Sequence, residues 1–188
     1  MKSLKSKLIA LMLLMTLIVI GSTGCYKMEY LDNDYAVSVV KELMAKADEL
    51  NRIHYGVGLE RAEGNEKESY SEVLEGEKYK SLKDIEKFTR SVLSEKYASE
   101  LLKSTCDGID ARYIEVGSVD EKKLLAKKEM TVVPGISSYD LESIEIEQAT
   151  KLEIKATIKR VDGTTKSLII VSEKQDGESV WRINGPTY

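Results

Sequence analysis

The chain has few residues of the types that bind metals, with one histidine and two cysteines among 188 residues. A zinc-type site usually takes four side-chain ligands, so one copy of the chain cannot supply such a site from His and Cys. Basic residues are not in excess either, because 28 Lys and Arg stand against 32 Asp and Glu, a formal charge of −4. A nucleic-acid-binding protein needs a basic surface. We therefore expect no metal, no cofactor and no nucleic-acid partner.

Internal repeats, low-complexity tracts and a second domain boundary are also absent from the sequence. The hydrophobic content of 42% is sufficient for a core. The length suits one globular unit, since domains commonly have about 100 to 200 residues. The sequence predicts a signal peptide at 1–24, a tether at 25–34 and a single domain at 35–188.

The first 24 residues have the order of a secretory signal. Three lysines precede an apolar run at 8–20, and small residues at 21–24 follow it. As a helix, this run of thirteen residues would be about 20 Å long, shorter than the roughly 30 Å hydrocarbon core of a bilayer. The pattern therefore favours a cleaved signal over a permanent membrane span.

The stretch Ser22-Thr23-Gly24-Cys25 resembles a bacterial lipobox, with Ser22 where Leu, Val or Ile is usual. The resemblance implies that Cys25 is lipidated, becomes the mature N-terminus and anchors the protein outside the cytoplasmic membrane, because two acyl chains hold a protein stably. Removal of residues 1–24 deletes three lysines and no acid, so the formal charge becomes −7. The alternative is a secreted protein whose unmodified Cys25 can form a disulfide with Cys106.

Helical periodicity is found in the first half of the chain. Apolar residues at steps of three and four predict a helix from an N-cap at Asp34 to about His54. A second helical region begins at Ser81, bends at Ser94 and ends in a turn at 105–108. Two ion pairs at i,i+4 are predicted on the outer face of the first helix, Glu42 with Lys46 and Asp48 with Arg52.

The second half alternates apolar and polar residues, which indicates strands. The clearest alternation runs from Leu152 to Ile158, and Asp162-Gly163 and Asp176-Gly177 predict hairpin turns. Further strands are predicted within 70–79, 113–116, 130–133, 144–146, 166–172 and 180–183. The predicted fold class is α+β, with N-terminal helices packed on a curved antiparallel β-sheet.

Cys106 with His54, the only histidine, is the one available nucleophile and imidazole base. Cys106 is followed by Asp107, and a neighbouring carboxylate raises the pKa of a thiol. His54 at the C-terminus of a helix is also explained by the helix dipole. Among the 32 acidic residues, the sequence distinguishes no catalytic pair of carboxylates. We therefore expect a protein that is not an enzyme.

An acidic segment, residues 60–77, contains seven glutamates and two basic residues, a net charge of −5. Such a run is either a solvated loop or a surface that attracts a basic partner. On the second interpretation, the partner-binding residues are Glu60, Glu63, Glu66 and Glu68.

Three motifs follow one another along the chain: the tract Tyr79–Ile85 leading into 88–102, the strand Tyr113–Val116, and the ending Trp181-Arg182-Ile183 after a Gly-containing turn. Together they resemble the IseA-type inhibitors of bacterial DL-endopeptidases. The resemblance implies a non-enzymatic protein outside a Gram-positive membrane. It would bind a cell-wall cysteine endopeptidase of the NlpC type and block its active-site groove through an acidic surface. The lipobox departs from this family, whose secreted members need no anchor, and residues 117–134 match it poorly.

The order of helices before a curved sheet is also similar to nuclear-transport-factor-two-like and cystatin-like lipoproteins. That resemblance implies a small ligand between helix and sheet, or a space filled by the same side chains, those of Tyr97, Tyr113, Ile154 and Trp181. The two hypotheses differ in what they require. An inhibitor needs its acids on a solvent-facing segment, whereas a ligand-binding module needs an enclosed apolar pocket.

Overall fold

The computed structural model of the protein describes residues 28–63, 69–118, 121–134 and 138–188. The predicted signal peptide at 1–24, Cys25, Glu66 and Glu68 lie outside these residues. Helices and antiparallel strands both form within the described ranges, so the predicted α+β class is confirmed. None of the helices in these ranges is long and apolar enough to cross a membrane.

Three helices and seven strands make up the described part of the chain. The helices are α1 (Asn33–His54), α2 (Leu82–Val92) and α3 (Glu95–Cys106). The strands are β1 (Tyr70–Glu72), β2 (Tyr113–Gly117), β3 (Lys122–Lys127), β4 (Tyr139–Ala149), β5 (Glu153–Arg160), β6 (Thr165–Gln175) and β7 (Glu178–Ile183).

The N-cap of helix α1 lies two residues before the predicted one. Asp32 is the N-cap, and its Oδ1 accepts hydrogen bonds from the backbone N–H groups of Asp34 and Tyr35, at 3.0 and 3.1 Å. The prediction of Asp34 as N-cap is therefore wrong. Both aspartates suit a helix start, but Asp32 has the extended backbone that a cap requires, while Asp34 lies in the first turn.

The boundary between α2 and α3 is where the sequence predicts it. Ser81 caps α2 by accepting a hydrogen bond from the backbone N–H of Asp84 at 3.1 Å. The chain then breaks at Leu93 and Ser94, where the N–H of Ser94 donates to the carbonyl of Ile183 at 2.9 Å. The predicted bend at Ser94 is confirmed, and its cause is pairing with the last strand.

The strands form two antiparallel sheets, with the orders β1-β3-β2 and β4-β5-β6-β7. Both predicted hairpin turns are confirmed, since β5 pairs with β6 and β6 with β7. The three-stranded sheet is an addition to the predicted architecture. Its central strand, β3, was not predicted. Residues 130–133 form no strand, so the strand predicted there is wrong. Three consecutive residues of β3, Leu124–Ala126, are buried, so its sequence does not alternate.

Each sheet covers its own apolar core. The larger core lies between α1 and the four-stranded sheet and includes Leu43, Ile154 and Ile170. The smaller core includes Ile85 and Leu124 from α2 and β3. The C-terminal turn of α1 belongs to the smaller core through Ile53. At about 1.5 Å per residue, the 22 residues of α1 give a helix about 33 Å long that connects the two.

Part of the predicted tether is attached to the sheet. The N–H of Leu31 donates to the carbonyl of Ala149 at 3.1 Å, and the N–H of Lys151 donates to the carbonyl of Glu29 at 3.0 Å. The side chains of Lys151 and Glu29 also form an ion pair. The chain is therefore fixed from Glu29 onward at the corner between β4 and β5, beside the N-terminal end of α1.

Candidate functional site

The described parts of the acidic segment lie at the edge of the three-stranded sheet. The N–H of Ala62 donates to the carbonyl of Glu72, and the N–H of Leu74 donates to the carbonyl of Glu60, both at 2.9 Å. Residues 60–62 thus extend the sheet beyond β1. These backbone bonds hold the two described ends of the segment next to each other.

Two of the four predicted partner-binding residues can be placed. Glu60 and Glu63 are exposed, whereas Glu66 and Glu68 lie outside the described residues. The backbone N–H of Glu60 donates to Glu77 Oε1 at 2.7 Å, which fixes the position of Glu60. Neither the Glu60 nor the Glu63 carboxylate forms a hydrogen bond or ion pair with another described residue.

Glu77 has a different role from these exposed glutamates. Its two carboxylate oxygens accept hydrogen bonds from Arg52 Nη1 and Nη2, at 3.0 and 3.3 Å. Burial alone would raise the pKa of Glu77, but the hydrogen bonds from Arg52 and from the N–H of Glu60 outweigh it and hold that pKa below its usual range. The pair fastens the end of the acidic segment to α1.

Arg52 also binds Glu49, through Nε at 2.8 Å and Nη2 at 2.9 Å. The predicted pair of Asp48 with Arg52 is therefore wrong, because two other carboxylates occupy the guanidinium. The other predicted pair is confirmed, with Lys46 Nζ 2.7 Å from Glu42 Oε1. Sequence spacing could not reveal the Arg52–Glu77 contact, since these residues are 25 positions apart.

An open groove of about 660 Å³ lies beside the acidic segment. Its charged lining is mixed and includes Glu72, Glu75, Lys80, Lys122 and Lys123. Lys123 Nζ lies 2.9 Å from Glu72 Oε2, so these two charges compensate each other. Among the described glutamates of the segment, Glu72 and Glu77 form ion pairs, whereas none is found for Glu60, Glu63 and Glu75.

The candidate nucleophile and base are not arranged for catalysis. His54 is buried, with Nδ1 2.9 Å from Thr105 Oγ1 and Nε2 2.8 Å from Thr89 Oγ1. Burial, with a smaller contribution from the Arg112 charge, lowers the pKa of His54 to about 3. Burial raises the pKa of the Cys106 thiol. Threonine hydroxyls thus occupy both imidazole nitrogens, and the thiol is held in its protonated form.

Three of the four residues predicted to line or fill a space between helix and sheet belong to the larger core. Tyr113 and Ile154 are fully buried in separate cores. Tyr97 borders a groove with Tyr55 and Tyr188, whereas Trp181 borders another groove with Tyr35. Tyr97 and Trp181 both pack against the larger core that contains Ile154, so only Tyr113 of the four lies apart.

No protein-family model matches the chain, and no curated protein shows significant similarity to it. The motifs behind the resemblance to IseA-type inhibitors lie in two helices and in strands β2 and β7 of the fold. The tract Tyr79–Ile85 leads into the first turn of α2, Tyr113–Val116 lies in β2, and Trp181–Ile183 ends β7. The inhibitor assignment remains a prediction.

Proposed function

We propose that the protein is a non-enzymatic lipoprotein, anchored through Cys25 outside the cytoplasmic membrane, that binds and inhibits cell-wall DL-endopeptidases. The observation that carries this proposal is the position of the two relevant features at opposite ends of α1. The chain leading from Cys25 is fixed beside the N-terminal end of α1. Arg52, near the C-terminal end, binds the acidic segment through Glu77.

The anchor would keep the N-terminal end of α1 close to the bilayer. Four residue steps separate Cys25 from Glu29, which is held at the β4–β5 corner. An extended chain spans at most about 3.5 Å per residue, or about 14 Å for this stretch. The β4–β5 corner would therefore lie within about 14 Å of the lipidated cysteine.

The acidic segment would then lie at the other end of α1 from the anchor. Helix α1 has 22 residues and is about 33 Å long, so it separates the anchored end from Glu60 and Glu63. This distance is several times the Debye length of about 10 Å at 0.1 M salt. The charges of the membrane would be screened from the segment, and a soluble or wall-bound enzyme could reach it.

The exposed carboxylates support binding to a basic surface. Glu60 and Glu63 lie in a segment with a net charge of −5, and neither pairs with another described residue. A complementary basic rim around the active-site groove of a peptidase would be attracted to this segment. Because exposed charges are screened, salt should weaken the complex.

The test is digestion of peptidoglycan by purified DL-endopeptidases in the presence of residues 26–188. We expect excess protein to slow digestion at low salt and to slow it less as salt is raised. An unchanged rate with several such enzymes, at excess protein and low salt, would contradict the proposal.

A further inference from the structure

The loop that follows α1 presents an exposed valine on a fixed backbone. Val57 is 64% exposed and lies between Gly56 and Gly58. The N–H of Gly56 donates to the carbonyl of Asn51 at 2.8 Å, and the N–H of Gly58 donates to the carbonyl of Arg52 at 3.0 Å. The backbone on both sides of Val57 is therefore hydrogen-bonded to α1.

Gly58 cannot be replaced without disturbing this loop. Its φ is +80°, in the region that favours glycine, and a Cβ at this position would collide with Met130 Sδ and lie 2.9 Å from Tyr113 Oη. Tyr113 Oη also donates to the carbonyl of Ile53 at 2.8 Å and accepts from the N–H of Leu59 at 3.2 Å. The loop is fixed at its start and at its end.

A second loop with an exposed valine is bound to the first. The N–H of Val133 donates to the carbonyl of Tyr55 at 2.9 Å. The Arg112 guanidinium bridges both loops, donating through Nη1 to the carbonyl of Thr131 at 3.0 Å and through Nη2 to the carbonyl of Gly56. Val132, between these contacts, is 48% exposed.

We infer that Val57 and Val132 form the apolar centre of the partner-binding surface, and that Glu60 and Glu63 form its charged rim. Protein interfaces commonly have an apolar centre and a polar rim. A centre whose backbone is already fixed loses little conformational entropy on binding. The complementary partner presents an apolar pocket bordered by basic side chains. The inference rests on the proposed inhibitory function. The surface lies at the same end of α1 as the acidic segment.

Introducing a negative charge at Val57 distinguishes an apolar contact from a purely electrostatic one, because the two predict opposite effects on inhibition. In Val57→Asp, the added carboxylate strengthens attraction to a basic partner but removes the apolar contact. We expect the concentration of residues 26–188 needed for half-inhibition of peptidoglycan digestion to rise about tenfold or more. Val57→Thr, which keeps the shape and replaces a methyl group by a hydroxyl, should raise it severalfold. Val132→Asp should act in the same direction as Val57→Asp.

Leu152→Asp is the matched control, because Leu152 is 75% exposed and lies in the β4–β5 corner, at the other end of α1. The concentration of this variant needed for half-inhibition should stay within about twofold of that of the unchanged protein, as expected for a surface site that does not contact the partner. Circular dichroism and thermal unfolding establish that each variant is folded. If the unchanged protein inhibits and the three valine variants inhibit as well or better, the apolar centre is refuted and the proposed function stands. If the unchanged protein does not inhibit, both are refuted.

Discussion

Arg52 holds Glu77 through two hydrogen bonds, Nη1 to Oε1 at 3.0 Å and Nη2 to Oε2 at 3.3 Å. The carboxylate is nearly buried, with a side chain 10% exposed, and also accepts the N–H of Glu60. This contact joins the acidic segment to α1 and sets the position of the exposed Glu60. Glu77 therefore has a structural role in the segment, whereas Glu60 and Glu63 remain candidates for partner binding.

Replacement of Glu77 by Gln should destabilise the fold. The Arg52 guanidinium would keep Glu49 but lose the charge of Glu77, its more buried partner, which costs about 1–3 kcal/mol of unfolding free energy. Glu63→Gln, at an exposed carboxylate with no pairing among the described residues, should change stability by less than about 0.5 kcal/mol. Urea unfolding at pH 7 measures both variants, and equal stabilities would show that the Arg52–Glu77 pair is not structural.

His54 should make stability fall in acid. Its pKa is about 3 in the fold and about 6.5 in an unfolded chain, so between these values only the unfolded chain binds the proton. The contribution of neutral His54 to the free energy of unfolding is therefore fully present above about pH 6.5 and is lost as the pH falls toward 3.

From pH 7 to pH 5 the loss attributable to His54 should be about 2 kcal/mol. Urea unfolding of the unchanged protein and of His54→Gln at both pH values measures this loss. The free energy of unfolding of the variant should fall less between pH 7 and pH 5, because the variant has no imidazole to protonate. The same decrease in both proteins would contradict the neutral, buried state of His54.

Gly58→Ala should destabilise the loop pair that carries Val57 and Val132. Alanine at a φ of +80° is strained, and its Cβ would collide with Met130, so we expect a loss of about 1 kcal/mol or more. Gly76→Ala is the control, since a Cβ there meets no atom within 4 Å. Thermal unfolding compares the two. A loss at Gly76 as large as that at Gly58 would argue against a specific steric requirement in the loop.

Lipidation of Cys25 is tested by labelling bacteria that express the full chain with a palmitate analogue. We expect label in the unchanged protein and in Cys106→Ser, and none in Cys25→Ser. The buried surroundings that raise the pKa of Cys106 make it a poor acceptor of an acyl group. Label that persists in Cys25→Ser would refute the anchor without bearing on inhibition.

The fold was predictable where its signals are local. The Ser81 cap, the break at Ser94 and the Asp162-Gly163 and Asp176-Gly177 turns each depend on neighbouring residues, as does the alternation in β5. Strand β3 was not predictable from its sequence, because it buries three consecutive residues between β1 and β2 and therefore does not alternate. Its burial depends on strands that are distant in the chain.

The candidate site was only partly predictable for the same reason. Composition identified the acidic segment, but the use of Glu77 as a structural partner depends on Arg52, far away in the sequence. Arg112 bridges two loops whose contacted residues are 19 and 56 positions away from it in the sequence. No local pattern distinguishes Val57 from other exposed valines, so its fixed backbone became evident only in the folded chain.

The most direct test of inhibition by the acidic segment compares two charge-matched variants of residues 26–188 in the peptidoglycan digestion assay. One variant changes Glu60, Glu63, Glu66 and Glu68 to Gln. The other changes four exposed glutamates of β4 and β7 to Gln, namely Glu142, Glu145, Glu147 and Glu178. We predict that the first variant loses inhibition at low salt and that the second retains it. Equal potency of the two variants would contradict a binding surface at the acidic segment.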